Sequence, residues 1–431
     1  MEKQNLIIKP FNTKKFNNFF LIFCIFIFSL STYWLYQKHL IGNDSTISEW
    51  LINYQGGFTR RGLIGEICFR LADYFDLKLR FVIFLFQTIV CFTYTLLLYC
   101  FIRDLPKNTL TVVAIFSPIF ILYPLGEIEV LIRKEVFLFI GFVIFLILSS
   151  PKKNKTNSMF YVFFIFPLLL LIWEPFIFFI PFTIFILLIN GDEHQLKKNV
   201  FKISLCLSSS FFTVIYIIIN PLSPEQHMVM SNGLMDRFGE HCYMSCSLLK
   251  TKSSVAAQFM AVFNNITFTG FFRYFIIMLI GFFPLMILIY NSFFKKLFFL
   301  NKFEKLLIPF SITLLLPISL FTAMTDWGRV VNMIYTFSIL TFLFLIKNDL
   351  IKLNDKVLYF DYLYKTKKKI FIILFYVFAF GWNPKTQIRG DIATNTLYKI
   401  LYNSSKHMLD FKSKRFFQNS PLIKFHKKYI E

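Results

Sequence analysis

Charge is scarce in this chain. Only 16% of its 431 residues are Asp, Glu, Lys or Arg, against roughly 25% in ordinary soluble domains. Acidic residues are the scarcer sign, 24 against 46 basic ones. Several catalytic signatures are missing altogether: no GxxxxGK(S/T), no HExxH, no GxSxG and no Cys/His set at metal-ligand spacing. P-loop ATP hydrolysis, zinc proteolysis and serine-hydrolase chemistry are therefore without support. DxD is missing too, which disfavours a nucleotide-sugar transferase built on that metal motif. No RNA-binding signature, zinc finger or compact basic domain is present, so a nucleic-acid partner is not expected despite a formal charge of +22. No cofactor or metal is called for. Internal repeats and long low-complexity linkers are also lacking, which makes one integral-membrane domain over 1–431 the economical reading.

What is present is apolar mass in blocks. The composition is 56% hydrophobic and the mean hydropathy is +0.60. Runs such as Phe19–Leu30, Val136–Leu148, Met159–Asn190, Phe275–Tyr290 and Val330–Ile346 are almost free of charge. Several reach the length of about 20 residues that crosses a hydrocarbon core of about 30 Å. The expected fold class is all-α, a polytopic transmembrane bundle of about ten or eleven spans. Phe, at 61 residues, reads as lipid-facing filler and not as an aromatic binding box. The first block lacks a small-residue cleavage site and follows Lys3, Lys9, Lys14 and Lys15, so it reads as an uncleaved span.

The expected spans are roughly 18–36, 81–102, 109–125, 136–150, 159–173, 175–190, 200–219, 274–292, 306–323, 330–346 and 370–382. Met159–Asn190 as one helix would be about 48 Å long, too long for one crossing. Pro175 after Trp173-Glu174 favours a break there. Splitting it also keeps Lys295–Lys305 and Lys347–Lys369 on the side of the N-terminus, as the positive-inside rule asks with that terminus cytoplasmic. The outer loops then run over about 37–80 and 220–272, and the basic tail over 383–431. Eleven spans put that tail outside; a re-entrant 370–382 segment, giving ten, would return it to the inner leaflet.

Polar residues collect in the expected outer segments. Asn43 to Arg70 has Gly56-Gly57-Phe58-Thr59-Arg60-Arg61-Gly62 at its centre. Glycine permits close backbone approach, and adjacent guanidiniums match a phosphate or diphosphate; a charged anchoring turn is the alternative. In Gly126 to Glu135, Glu129 and Arg133 stand four apart and would pair on one helical face; a role in binding or proton transfer is the other reading. Asp326 and Arg329 flank a tight turn at a span boundary, where ionisable groups are costly unless paired or used. Glu174 stands alone in an apolar block. The loop Pro221 to Phe272 is too long for a plain connector and carries Asp236, Arg237, Glu240 and His241 as acid/base or solvated groups. Cys242 and Cys246 in that loop are a disulfide candidate if it faces an oxidising compartment. Cys24, Cys91, Cys100, Cys206 and Cys68 read as small buried hydrophobes.

With Asn53-Tyr54-Gln55-Gly56-Gly57-Phe58-Thr59-Arg60-Arg61-Gly62 and Asp326-Trp327-Gly328-Arg329, the many-span chain with a long late loop resembles bacterial surface-polysaccharide assembly proteins. These are the O-antigen and capsule polymerases (Wzy-type) and the related GT-C glycosyltransferases. The resemblance implies an undecaprenyl-diphosphate-linked glycan substrate, a place in the bacterial inner membrane, a part in lipopolysaccharide or capsule synthesis, and other polysaccharide-assembly membrane proteins as partners. It implies that Arg60, Arg61 and Arg133, with Lys134 and Arg237, hold substrate, that Asp326 or Glu127 is the base, and that Arg329 orients it. The GT-C version would use Asp44 or Glu49 instead, but that loop has no DD or ED pair. The rival reading is a lipid-linked glycan flippase or another transporter without chemistry. That would require mid-span ionisable residues in two related halves, which the sequence does not display.

Overall fold

The computed structural model describes residues 13–40, 45–105, 108–151, 153–191, 195–251, 255–295, 304–386, 393–394 and 400–401. Asp44 and most of the tail 383–431 lie outside them. The protein is all-α. In chain order it runs α1 (Thr13–Leu40), α2 (Ser45–Ser48), α3 (Gly62–Tyr74), α4 (Leu79–Ile102), α5 (Thr109–Ile115), α6 (Tyr123–Gly126) and α7 (Glu135–Leu148). Then come α8 (Lys155–Ile172), a 3-10 segment Glu174–Phe179, α9 (Ile180–Ile189), α10 (Leu196–Ile219), α11 (Pro224–Phe238), α12 (Leu248–Thr251) and α13 (Val255–Phe263). The chain continues with α14 (Phe268–Tyr290), α15 (Leu307–Ile318), α16 (Trp327–Lys347), α17 (Asp355–Thr366) and α18 (Lys368–Phe380). Two short antiparallel pairings, Ser292–Phe294 with Ile351–Leu353 and Asn383–Pro384 with Ala393–Thr394, are the strands among the described residues.

Six helices, α1, α4, α8, α10, α14 and α16, are long and apolar enough to cross a membrane. Three shorter apolar stretches accompany them: Glu135–Leu148, Glu174–Ile189 and Leu307–Thr322. Helices dominate because lipid supplies no partner for free backbone groups, so each span must satisfy its own. The break expected at Pro175 is present: Trp173 leaves the helix at φ −157° and the chain restarts as a 3-10 turn.

The 109–125 segment is not the continuous span that its apolar run suggested. Helix α5 stops at Ile115, and Pro118 keeps Ser117 from continuing it. Carbonyls around the break are taken up by polar side chains of one neighbouring helix, α16. Asn332 donates to Ile119 O and Phe120 O at 2.8 and 3.0 Å, and Tyr335 OH donates to Ala114 O at 2.7 Å. The Ser117 hydroxyl reaches Gly281 O at 2.9 Å. Broken helix is tolerated at this depth only with such partners.

Helix α16 is the axis of the bundle, with every residue from Trp327 to Leu345 buried. Phe337 on it stacks on Phe179 with centroids 4.4 Å apart and meets Phe142 at 4.7 Å, a geometry that adds to area burial. Helix α10 lies at the edge, with Phe201, Leu205, Phe211 and Phe212 exposed, as a lipid-facing surface requires.

The bundle has two distinct ends. At one, Ser150 Oγ donates to Asn348 Oδ1 at 2.7 Å, Lys347 Nζ to Phe101 O at 2.7 Å, and Thr109 N to Asp361 Oδ1 at 2.7 Å. The other gathers the segments before α3, α7 and α16. Helix α18 runs back to that second end, where Gly328 N donates to Thr386 O at 3.1 Å and Tyr274 OH to Lys385 O at 2.6 Å. The chain at 383–386 therefore lies at that end.

Candidate functional site

The second end of the bundle holds a cluster of charges drawn from five stretches of sequence. The turn before α3 supplies Arg60 and Arg61. Arg61 caps that helix at φ 65°, a left-handed conformation that costs a side chain about 1–2 kcal/mol and that the surrounding contacts must hold. Arg61 forks onto Glu174, Nε to Oε2 at 2.7 Å and Nη2 to Oε1 at 2.6 Å, while Arg60 Nη1 reaches Oε1 at 3.3 Å. Glu174 is thus not solitary: the apolar block delivers it to the paired arginines, 113 residues away in sequence.

Glu49, fully buried, forms the floor. It accepts from Arg133 Nη2 and, at 3.3 Å, from Arg329 Nη2, with Arg61 Nη1 at 3.8 Å. Arg329 also forks onto Glu135. Asp326 Oδ2 stands 3.4 Å from Arg133 Nη1 and 3.7 Å from Arg329 Nη1. Lys134 Nζ donates to the Arg61 carbonyl. Buried Trp173 lies under two guanidiniums, Arg329 at 5.3 Å and Arg61 at 5.8 Å from its ring centre, both within cation–π range. Five basic groups (Arg60, Arg61, Arg133, Lys134, Arg329) thus face four carboxylates (Glu49, Glu135, Glu174, Asp326).

The cluster has a sealed floor and an open rim. Glu49, Arg133, Lys134, Glu135 and Arg329 are buried. Asp326, Glu174, Arg60 and Arg61 keep 23%, 18%, 17% and 14% of their side chains exposed. Only the rim groups can touch a ligand directly in this arrangement. Burial alone would raise the Glu49 carboxyl, but the charge of Arg133, then Arg329, the Arg133 hydrogen bond and Arg61 together hold it well below the usual carboxylate range. Burial pushes the Lys134 ammonium down, against the pull of Glu49, to about 7.

A second layer adjoins Asp326. Glu127 Oε2 accepts from Thr386 Oγ1 at 3.2 Å and Thr386 N at 3.4 Å, and Tyr123 OH meets Thr386 Oγ1 at 3.0 Å. A side chain at Gly328 would run into the Lys385 carbonyl at 2.1 Å, so glycine is required for the strand Asn383–Pro384 and its continuation to cross α16 here.

Helix α11 is laid over the Gly56–Gly57 turn. A Cβ at Gly56 would sit 1.9 Å from Gln226 O. Ser223 and Gln226 form a capping box at the helix start, behind Pro224, and Gly239 at φ 65° ends it. Arg237, in the last turn of α11, pairs with Asp73 and with Asp76 at 3.7 Å. It belongs to the far end of α3 and does not join the cluster. Cys242 and Cys246 are joined in a disulfide.

The structure thus brings together Glu49, Arg60, Arg61, Arg133, Lys134, Asp326 and Arg329, with Glu127 beside them. It leaves Arg237, Cys242 and Cys246 elsewhere. The Glu129–Arg133 pair is not formed: a 3-10 turn at Ile128–Val130 and φ 45° at Ile132 replace the helix that pairing needs. Sequence reasoning gave no site role to Glu135, Glu174 or Trp173. For Glu174 the available signal was a carboxylate inside an apolar run with no basic neighbour; Glu135 follows Arg133-Lys134, and Trp173 carries no charge to mark it. Compared with protein-family models, curated proteins and solved structures, the chain matches none.

Proposed function

We propose that the protein is a membrane-embedded glycosyltransferase that extends a polyprenyl-diphosphate-linked oligosaccharide, as in O-antigen or capsule synthesis. The observation that supports it is the partly exposed edge of the charge cluster at one end of an apolar bundle: Arg60 and Arg61 lie on one side of buried Glu49, and Asp326 is joined to Glu49 through Arg133. A lipid-tethered diphosphate has its tail in the bilayer and its charge at that depth. Arginines there suit its bidentate oxygens.

In this reading Asp326 takes the proton of an acceptor hydroxyl as its oxygen attacks the anomeric carbon of the donor. The bond from that carbon to the diphosphate oxygen breaks, and polyprenyl diphosphate leaves. Arg60 and Arg61 stabilise the charge that grows on the leaving oxygens. Arg133 and Arg329, beneath the rim, orient Asp326. Glu127 is the alternative base. The setting proposed is the bacterial inner membrane, N-terminus cytoplasmic and cluster outward, with other polysaccharide-assembly membrane proteins as partners.

A flippase without chemistry is the competing reading. Transport by rocking needs ionisable groups within the spans of two related halves. A cluster tied among helix ends by nine charged groups supports a fixed site instead. The test is Arg60→Ala in a strain that makes the polysaccharide. The expected outcome is surface glycan reduced to single units, with the protein still present in the membrane; an unchanged chain-length ladder overturns the reading. Lipid-linked units trapped on the inner leaflet of a deletion strain would favour the flippase.

A further inference from the structure

The loop between α10 and α14 contains a group that takes no part in the charge cluster. His227, on α11, is buried, and its Nε2 lies 3.4 Å from Cys242 Sγ and 3.1 Å from Cys246 O. The imidazole nitrogen and both sulfurs fall within 4.8 Å of one another. Among the described residues this is the one set of three such side chains placed to share an ion. In the disulfide neither sulfur is a thiolate, so the oxidised group does not offer soft-metal ligands.

Reduction changes its chemistry. A dithiol reductant supplies two electrons and two protons: the Cys242–Cys246 bond breaks, two thiols form, and the reductant closes into its own disulfide. A zinc ion then displaces both thiol protons to solvent. Two metal–sulfur bonds form, and neutral His227 adds a nitrogen, with water in the fourth position of a tetrahedron. The imidazole gives up its contact with the Cys246 carbonyl and carries its proton on Nδ1.

The geometry points to a redox-gated zinc-class site made by His227, Cys242 and Cys246, shut by the disulfide and opened by reduction. The ligands are held independently of the ion. His227 is on a helix anchored by the Ser223–Gln226 capping box and pressed on Gly56 through Gln226. The cysteines stand on one turn, where Cys246 N donates to Tyr243 O at 3.1 Å and Leu248 N to Met244 O at 2.9 Å. Either state ties α11 to that turn, and α11 covers the glycines beside Arg60. The compartment facing the loop selects the state: disulfide where thiols are oxidised, metal where they are kept reduced. Nothing in this depends on glycosyl transfer.

The experiment is a cobalt titration of the full-length chain purified in detergent, Co²⁺ standing in for Zn²⁺. One sample is kept oxidised; the other is treated with dithiothreitol and freed of it without air. The reduced chain is expected to take up one equivalent with a thiolate-to-cobalt absorption band that Zn²⁺ abolishes, and the oxidised chain none. His227→Ala and Cys242→Ser should lose the band, while Cys206→Ser retains it. The proposal is overturned if the reduced wild type shows no such band, or if the band survives His227→Ala at full intensity. The comparison of the two redox states of the same chain stands even where a variant fails to fold.

Discussion

Arg329 forks onto Glu135 across 194 residues of sequence, Nε to Oε1 at 2.7 Å and Nη2 to Oε2 at 2.5 Å. Both stand in the first turn of a helix, α16 and α7. A carboxylate at that position complements the positive end of the helix dipole, whereas a guanidinium opposes it. Arg329 is therefore held where its own helix disfavours it, by Glu135, Glu49 and Asp326 around it. Buried ions of this kind act as a set: removing one strands the others.

Loss of Glu49 should accordingly cost far more than loss of a surface acid. Glu49→Gln leaves Arg133 and Arg329 with less compensation, and about 3–5 kcal/mol of stability should be lost. Thermal melting in detergent measures this. The double variant Arg329→Met with Glu135→Leu should melt above either single one, because no buried charge is then left alone. Additive losses would contradict the coupling.

The pH dependence follows from two groups. Glu49 is held below its ordinary value in the fold, so the stability it contributes is present above about 4.3, the unfolded glutamate value, and is lost as pH falls below that. Lys134 is lowered from 10.5 to about 7, so over that interval the unfolded chain binds more protons and stability rises with pH. Melting temperatures at stepped pH should show this upward slope in the wild type and a weaker one in Lys134→Met. Equal slopes would mean that Lys134 stays charged.

The sidedness of the bundle ends can be read by impermeant thiol labelling. Cysteines introduced at Arg70 and at Lys385 should label from one side of the membrane, and a cysteine at Asp349 from the other. Labelling of Lys385 and Asp349 from the same side would rule out the crossing of α18.

Packing of α11 on the paired glycines is open to a direct test. Gly56→Ala brings a methyl group to 1.9 Å from Gln226 O, so α11 must lift. Hydrogen exchange over 224–238 should rise several-fold while exchange in α16 stays unchanged. Protection equal to that of the wild type would show that the helix does not rest there.

Under the glycosyl-transfer reading, Asp326→Asn should lower polymerisation by about 10²–10⁴-fold, the usual worth of a positioned base. Glu127→Gln should have the smaller effect, since Thr386 engages that carboxylate. In vitro extension of lipid-linked units, with binding measured alongside, distinguishes the two; the reverse order would move the base to Glu127.

Much of this was legible in the residues themselves. Uncharged runs marked the helices, because a segment in lipid must satisfy its backbone internally and helix is the local way to do so. Trp173-Glu174-Pro175 announced a break for an equally local reason, the steric demand of proline on its neighbour. The same rule operates at Ser117-Pro118, yet the apolar run around it masked the signal, and its repair by Asn332 and Tyr335 depends on another helix.

Apart from Asp326 and Arg329, three residues apart on one turn, the partners of the clustered charges were decided by the tertiary structure. Local spacing offered Glu129 to Arg133, whereas the fold gives Arg133 to Glu49 and Asp326. It likewise gives Glu174 to Arg60 and Arg61, and Glu135 to Arg329. Periodicity fixes which residues form a helix and which lie at its ends. Which ends then adjoin depends on how the helices pack, and an ion kept from water must find its counter-charge within a few ångströms, however distant in sequence that partner is.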